Sequence, residues 1–193
     1  MITRPLSIEE YKQIIELIES GFTYTNEDDK SEHIFRPNIQ VSLALQLEAN
    51  IGLRIGDILR LKVDSFRGNK LEFIEQKTKK LQYRNVNPMI VSLIKDYAIE
   101  KGLKKNDYIF NISEKAIQKQ LRIICKYLAL DNISTHSFRK TYATLQYENS
   151  NYDIEAVRLL LNHSNISNTM RYIKANQQKV NQLSEDFFID INK

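Results

Sequence analysis

The stretch from Thr135 to Lys174, THSFRKTYATLQYENSNYDIEAVRLLLNHSNISNTMRYIK, constrains the chain most, because two of its three histidines, a partner arginine and a candidate nucleophile all fall inside it. If a helix begins near Ser137, His136 and Arg139 emerge together at its first turn. Orphan backbone N–H groups and the positive end of the helix dipole lie there as well, which is anion-binding geometry. Downstream, Ile154, Val157, Leu160 and Leu161 recur at helical spacing. Asn162 then stands where a helix end tolerates left-handed φ, so His163 is expected just past the end, in a turn. Ser167 is expected to cap a short helix that carries Tyr172 one turn in. A loop-borne histidine and a helix-borne tyrosine thereby approach one pocket.

Apolar and turn signals upstream predict a mainly α chain with a small antiparallel β-hairpin or sheet, an α+β class. Ser7 and Glu10 read as a capping box opening a helix to about Ser20. Gly21 to Phe35 reads as a polar, acidic loop. Pro37 opens a mostly buried helix to about Asn50, and Gly52 ends it. A further helix begins near Arg54, with Asp57 on the same side to hold the guanidinium or a neighbouring histidine in place. Lys70–Ile74 and Leu81–Val86 have strand composition and flank a hairpin tip, Gln76 to Lys80, that presents Lys77, Lys79 and Lys80. Asn87 and Pro88 open a helix to about Lys101, and Ser113 caps another to about Leu128. After Tyr172 a polar helix, Ala175 to Leu183, is expected to lead into the apolar cluster Phe187, Phe188, Ile189 and Ile191.

Charge is distributed more tellingly than its total of +4 suggests. Residues 1–33 carry three basic and eight acidic side chains, whereas residues 54–84 carry nine basic and four acidic, and residues 101–126 seven and two. Two basic blocks behind an acidic start point to one face built for a polyanion. Hydrophobic content of 42% with 27% charged residues is that of a globular chain, and no apolar run is long enough to span a membrane. There is no signal-peptide pattern, and the lone Cys125 has no partner for an internal disulfide, so a cytoplasmic location is expected. His136, His163 and Cys125 lack the close pairs of zinc sites, and no Gly-rich phosphate loop occurs. Neither a metal nor another cofactor is expected.

HSFR, then LLLNHSN, then SNTMRY, resembles the H-x-x-R, L-L-G-H-s and s-T-x-x-Y succession of the tyrosine recombinases, or phage integrases. ANIGLRIGDILRLKVDSF is similar to the family segment that supplies its first arginine, and FIEQKTKKLQYRNVNP to the hairpin that carries its lysine. The resemblance runs from about Ala49 to Lys174. Asparagine replaces the usual glycine in LLLNH, and Gly56 and Asp57 stand where a small residue and Glu are common. It implies the tyrosine recombinase catalytic-domain fold over residues 1–174, followed by a C-terminal helix and tail at 175–193 that either packs on its own domain or, as in the family, is exchanged between protomers; the helical N-terminal core-binding domain that family members usually carry is expected to be absent, since few residues precede Ser7.

The implied reaction is site-specific recombination of double-stranded DNA, cleaving and rejoining strands through a 3′-phosphotyrosyl bond to Tyr172. A phosphodiester carries charge that rises in the transition state, and Arg54 and Arg139 can fork its nonbridging oxygens, with His163 as a third donor. A tyrosine of pKa about 10 needs a neighbour to take its proton or cations to stabilise the phenolate. His136 serves the first need and the two arginines the second. The 5′-oxygen leaving group requires an acid, for which Lys77 is chosen, with Lys79 and Lys80 as alternatives. Lys79, Lys80 and Arg84 are expected to contact DNA. A homo-oligomer, a tetramer, is expected on DNA, with a monomer in its absence. Type IB topoisomerase-like relaxation and a noncatalytic DNA-binding module are the alternatives.

Overall fold

A computed structural model describes residues 3–26, 30–173 and 184–186 of the chain. Ser7 caps α1 (Ile8–Ser20), its hydroxyl accepting from Glu10 N while the Glu10 carboxylate accepts from Ser7 N. The residues ahead of it are strapped to a distant helix, α6 (Thr135–Asn149). Leu6 N donates to Thr141 Oγ1 at 2.8 Å, and Lys140 Nζ donates to Thr3 O.

Residues 21–35, expected as a loop, instead contain the antiparallel pair β1 (Phe22–Thr25) and β2 (Glu32–Phe35), with Phe22 opposite Phe35. The physical reason lies in the short alternation of FTYT. Phe22 stacks on Phe35 at 5.0 Å and meets Tyr127 at 4.4 Å, so an aromatic face anchors a ribbon whose polar composition reads as loop.

The centre of the molecule is α2 (Ile39–Ile51), buried on several sides through Val41, Leu43, Ala44, Leu45, Leu47 and Ile51. A helix apolar all round belongs inside, and α1 and α6 both pack on it. It ends at Gly52, whose φ is +71°. A Cβ there would lie 2.3 Å from the Tyr142 ring, so both conformation and space demand glycine. The chain turns at once into α3 (Ile55–Ile58), with Arg54 at its N-cap.

A three-stranded antiparallel sheet follows, ordered β3 (Phe66–Arg67), β4 (Lys70–Ile74), β5 (Leu81–Asn85). Then come α4 (Pro88–Glu100), α5 (Glu114–Tyr127) and α6, which starts at Thr135, earlier than the expected Ser137. Ser134 N donating to Ser137 Oγ fixes that start. The short helix α7 (Ile154–Leu160) lies on α6 through the small apolar cluster of Tyr142, Ala143, Val157 and Leu161, and α8 (Ile166–Met170) packs on α7. Cys125 sits buried in the main core, where burial pushes its thiol up to about 11. The expected helix at 175–183 and the apolar cluster at 187–191 lie outside the described residues. Among the described residues no helix is long and apolar enough to cross a membrane.

Candidate active site

Five pieces of chain meet beside the end of α2. Arg54 leaves the Gly52 turn, Lys77 stands on the β4–β5 tip, His136 and Arg139 lie in the first turns of α6, His163 follows α7, and Tyr172 follows α8. Asn162 adopts φ +52°, the left-handed turn expected of it, and so delivers His163 back toward α6. The turn is locked by His163 N donating to Arg158 O and by Arg158 Nη1 donating to His163 O at 2.6 Å.

Arg139 is the anchor. It is only 2% exposed, and its fork donates to the carbonyls of Gly52 and, at 2.8 Å, Leu161. Nη2 also lies 3.2 Å from His163 Nε2. A guanidinium can only donate, so Nε2 must accept, and the imidazole is neutral with its proton on Nδ1. That proton faces Thr169 Oγ1 at 3.1 Å. Burial first, then Arg139, Arg54 and Lys77, hold the His163 pKa down to about 4. In this geometry Nε2 of His163, expected as a third donor to phosphate, is turned to Arg139 as an acceptor, because a cationic imidazole beside a buried guanidinium is disfavoured. Burial and Arg54 lower Arg139 itself to about 10, leaving it cationic at neutral pH.

Tyr172 is not one turn inside a helix as expected. Asn165, rather than Ser167, caps α8, accepting from Ser167 N, so α8 ends at Met170 and the tyrosine comes just beyond. Its ring is half-buried against the small cluster, meets His163 edge-on at 5.1 Å, and has Lys140 Nζ 5.6 Å from its centroid. His136 has an exposed ring whose pKa is lowered by partial desolvation and then by Arg139 and Arg54. A neutral imidazole there is able to accept a proton.

Arg54 Nη1 lies 2.5 Å from Glu75 Oε1 and 4.0 Å from Asp57 Oδ2. Asp57 Oδ1 accepts from Gln76 N at 2.8 Å, tying the hairpin tip to α3. Burial raises the Glu75 carboxyl, but bonds from Thr78 and Arg54 outweigh it and leave its pKa below the ordinary value. Lys77, Lys79 and Lys80 are exposed on the tip. Arg84, expected to contact DNA, is turned inward, because alternate residues of β5 face the core. Its guanidinium donates to the Ile51 and Leu160 carbonyls and serves as a strut between α2 and α7.

Sequence reasoning missed Glu75, Lys140, Thr169 and Glu48. Nothing in the order of residues says which carboxylate of a charged hairpin folds back onto Arg54. Glu48 did leave a signal, a lone acid inside the apolar run LALQLEANI; it is fully buried, and neither carboxylate oxygen has a hydrogen-bond partner. Burial raises its pKa well above the ordinary 4.5, with Arg139 pulling the other way. Among the described residues no cluster of three or more His, Cys, Asp or Glu is arranged to hold a metal ion.

Residues 4–179 match the phage integrase family, and the chain belongs to that family. It is 28% identical over 181 residues to a probable integrase/recombinase of Acholeplasma phage L2, covering 89% of this chain and 59% of the relative. It is also 35% identical over 132 residues to the probable integrase/recombinase YoeC of Bacillus subtilis strain 168, covering 64% of this chain and 71% of the relative. The fold is that of the tyrosine recombinase catalytic domain. One solved structure, the XerH site-specific recombinase bound to palindromic difH substrate in a post-cleavage complex, superposes with a TM-score of 0.70 at 20% identity, covering 94% of this chain and 52% of that one.

Proposed function

We propose that this chain is the strand-cleaving and rejoining unit of a site-specific recombinase acting on double-stranded DNA. The observation that carries this reading is the convergence of Arg54, Lys77, Arg139 and His163, close enough for the three cations together to depress one imidazole, with Tyr172 edge-on against that imidazole. Three cations from three separate pieces of chain surround one neutral imidazole and outnumber the Glu75 and Asp57 carboxylates beside them. A phosphodiester supplies the missing anion.

Tyr172 Oη attacks the phosphorus, its proton passing to His136, and a 3′-phosphotyrosyl bond forms as the bond to the 5′-oxygen breaks. Lys77 gives a proton to that oxygen, which departs as a 5′-hydroxyl. Arg54 and Arg139 hold the nonbridging oxygens; losing one such preorganised donor typically costs on the order of 100- to 1,000-fold in rate. His163 acts through Arg139, since its Nε2 is already engaged there. A 5′-hydroxyl from a partner strand reverses the sequence and joins new neighbours. The phosphotyrosyl linkage conserves the energy of the DNA phosphodiester it replaces, so the reading calls for no cofactor.

The same reading makes residues 1–174 the catalytic domain and 175–193 a segment that docks on a neighbouring protomer, with a tetramer as the working assembly on DNA. Lys79 and Lys80 contribute phosphate contacts. Incubation with nicked duplex DNA that traps the covalent product, followed by mass spectrometry of the nucleotide-bearing peptide, tests the core claim. A tyrosine other than Tyr172 in that peptide, or no adduct from the intact site, refutes it. Deleting the residues from Ser184 onward tests the docking segment; undiminished assembly on DNA refutes that part alone.

A further inference from the structure

We propose that Glu75 is a positioning residue that fixes the Lys77 tip against Arg54, so that acid and anion-binding arginine arrive at the phosphate as one unit. The inference rests on the reading of Lys77 as the acid for the 5′-oxygen.

A lysine on an exposed hairpin tip faces a placement problem. Its ammonium must come within about 3 Å of one oxygen, yet every residue from Gln76 to Lys80 is exposed and gains little from packing. The residue before that run is different. Glu75 is 3% exposed, and each of its polar groups is committed. Oε1 accepts from Arg54 at 2.5 Å and Oε2 accepts from Thr78 Oγ1 at 2.7 Å. Its carbonyl accepts from Lys79 N at 2.8 Å, closing the turn over Lys77, and its own N–H donates to Lys80 O at 3.0 Å.

Lys77 therefore sits inside a loop whose far side is tied to one residue, Thr78 through the Glu75 carboxylate and Lys79 and Lys80 through its backbone. The next backbone N–H, Gln76 N, is held by Asp57 on α3. Arg54 is at the N-cap of the same short helix, so tip and arginine share one base. Charge-assisted hydrogen bonds with both carboxylate oxygens engaged are the strong, directional kind, suited to ordering an otherwise solvated loop.

A carboxylate against Arg54 has a second conceivable role, as a stand-in anion that occupies the arginine until phosphate displaces it. The two roles differ at Thr78. A stand-in anion has no need of the tip threonine, whereas a positioning residue works through it. They also differ in the step affected, because poor placement of an acid matters only when the leaving group needs a proton.

The test compares cleavage of ordinary DNA with cleavage of DNA bearing sulfur in place of the bridging 5′-oxygen, whose thiolate departs unprotonated. Glu75→Ala and Thr78→Val are the variants, and Thr78 is exposed, so Thr78→Val keeps the fold even if Glu75→Ala does not. On ordinary DNA Thr78→Val is expected to lose roughly tenfold and Glu75→Ala roughly tenfold to a hundredfold, a part of what a general acid supplies. On sulfur-bridged DNA both are expected within about threefold of the unaltered protein, a tolerance set by the spread of single hydrogen-bond effects. Equal losses on both substrates, or faster cleavage of ordinary DNA, overturn the proposal. Lys77→Ala is measured alongside. If sulfur fails to restore it, the acid assignment falls and this inference with it; if sulfur restores Lys77→Ala but not the other two, only the positioning role falls.

Discussion

Acidification from pH 7 to pH 5 perturbs one identifiable contact, between His163 Nε2 and Arg139 Nη2. The imidazole is 6% exposed and its pKa is held down to about 4, against an ordinary 6.5, first by burial and then by three cations. Because the folded pKa is depressed, the unfolded chain binds more protons between pH 4 and 6.5, and stability must fall as pH falls through that window. Integrating the linkage relation between pH 7 and pH 5 gives a loss of about 2 kcal/mol from this group alone. Glu10 and Glu75, whose pKa values are lowered from the ordinary 4.5, contribute losses of the same sign only at lower pH, and other groups add their own slopes. The measurement is therefore a difference. Urea unfolding of the unaltered protein and of His163→Gln is followed at closely spaced pH values, and the two stability curves are subtracted. The gap is expected to narrow by about 2 kcal/mol on acidification, since the variant has no proton to gain there. Parallel curves would show that His163 is not the buried neutral acceptor described above.

Glu48 should behave in the opposite sense. Its pKa is raised, so the folded chain holds the extra proton, and the unaltered protein should lose stability relative to Glu48→Gln as pH rises above 4.5. A flat difference in the same unfolding series would mean that the carboxyl is solvated. Gly52→Ala combines a left-handed φ with a collision on the Tyr142 ring and is expected to cost about 3 kcal/mol, read from the shift in thermal unfolding. Replacing Arg84 by Met leaves the Ile51 and Leu160 carbonyls unpaired, a loss of about 2–4 kcal/mol, while the salt dependence of DNA binding stays unchanged. A salt slope reduced by about 1 would instead make Arg84 a phosphate contact. Tyr172→Phe should abolish covalent adducts while DNA binding persists; an adduct that survives places the nucleophile elsewhere.

The local signals were legible where one physical effect dominates. Ser7 with Glu10, Asn87 with Pro88 and Asn162 at its left-handed turn stand where capping and φ preferences put them. The gathering of Arg54, Arg139 and His163 was legible only through ordered motifs, because spacing along the chain carries no distance across it. What escaped depends on competition between near-equal options. Asn165 outcompetes Ser167 as the cap of α8, shifting Tyr172 beyond the helix. Arg84 and Lys80 both lie in a basic run, and only the pleat decides that one turns inward. The hydrogen bonding of His163 escaped for a similar reason: the sequence shows a histidine, but which nitrogen accepts follows from a guanidinium that is already buried beside it.

The five-residue helix α8 touches the rest of the site through Thr169, whose hydroxyl meets the imidazole that in turn props Arg139. Drawing the tyrosine segment away would strip the ring of its proton's partner and let it rotate, loosening the guanidinium behind it. The seating of Tyr172 and the orientation of a guanidinium on α6 are thus one mechanical event, with the Gly52 and Leu161 carbonyls left as the remaining hold on Arg139.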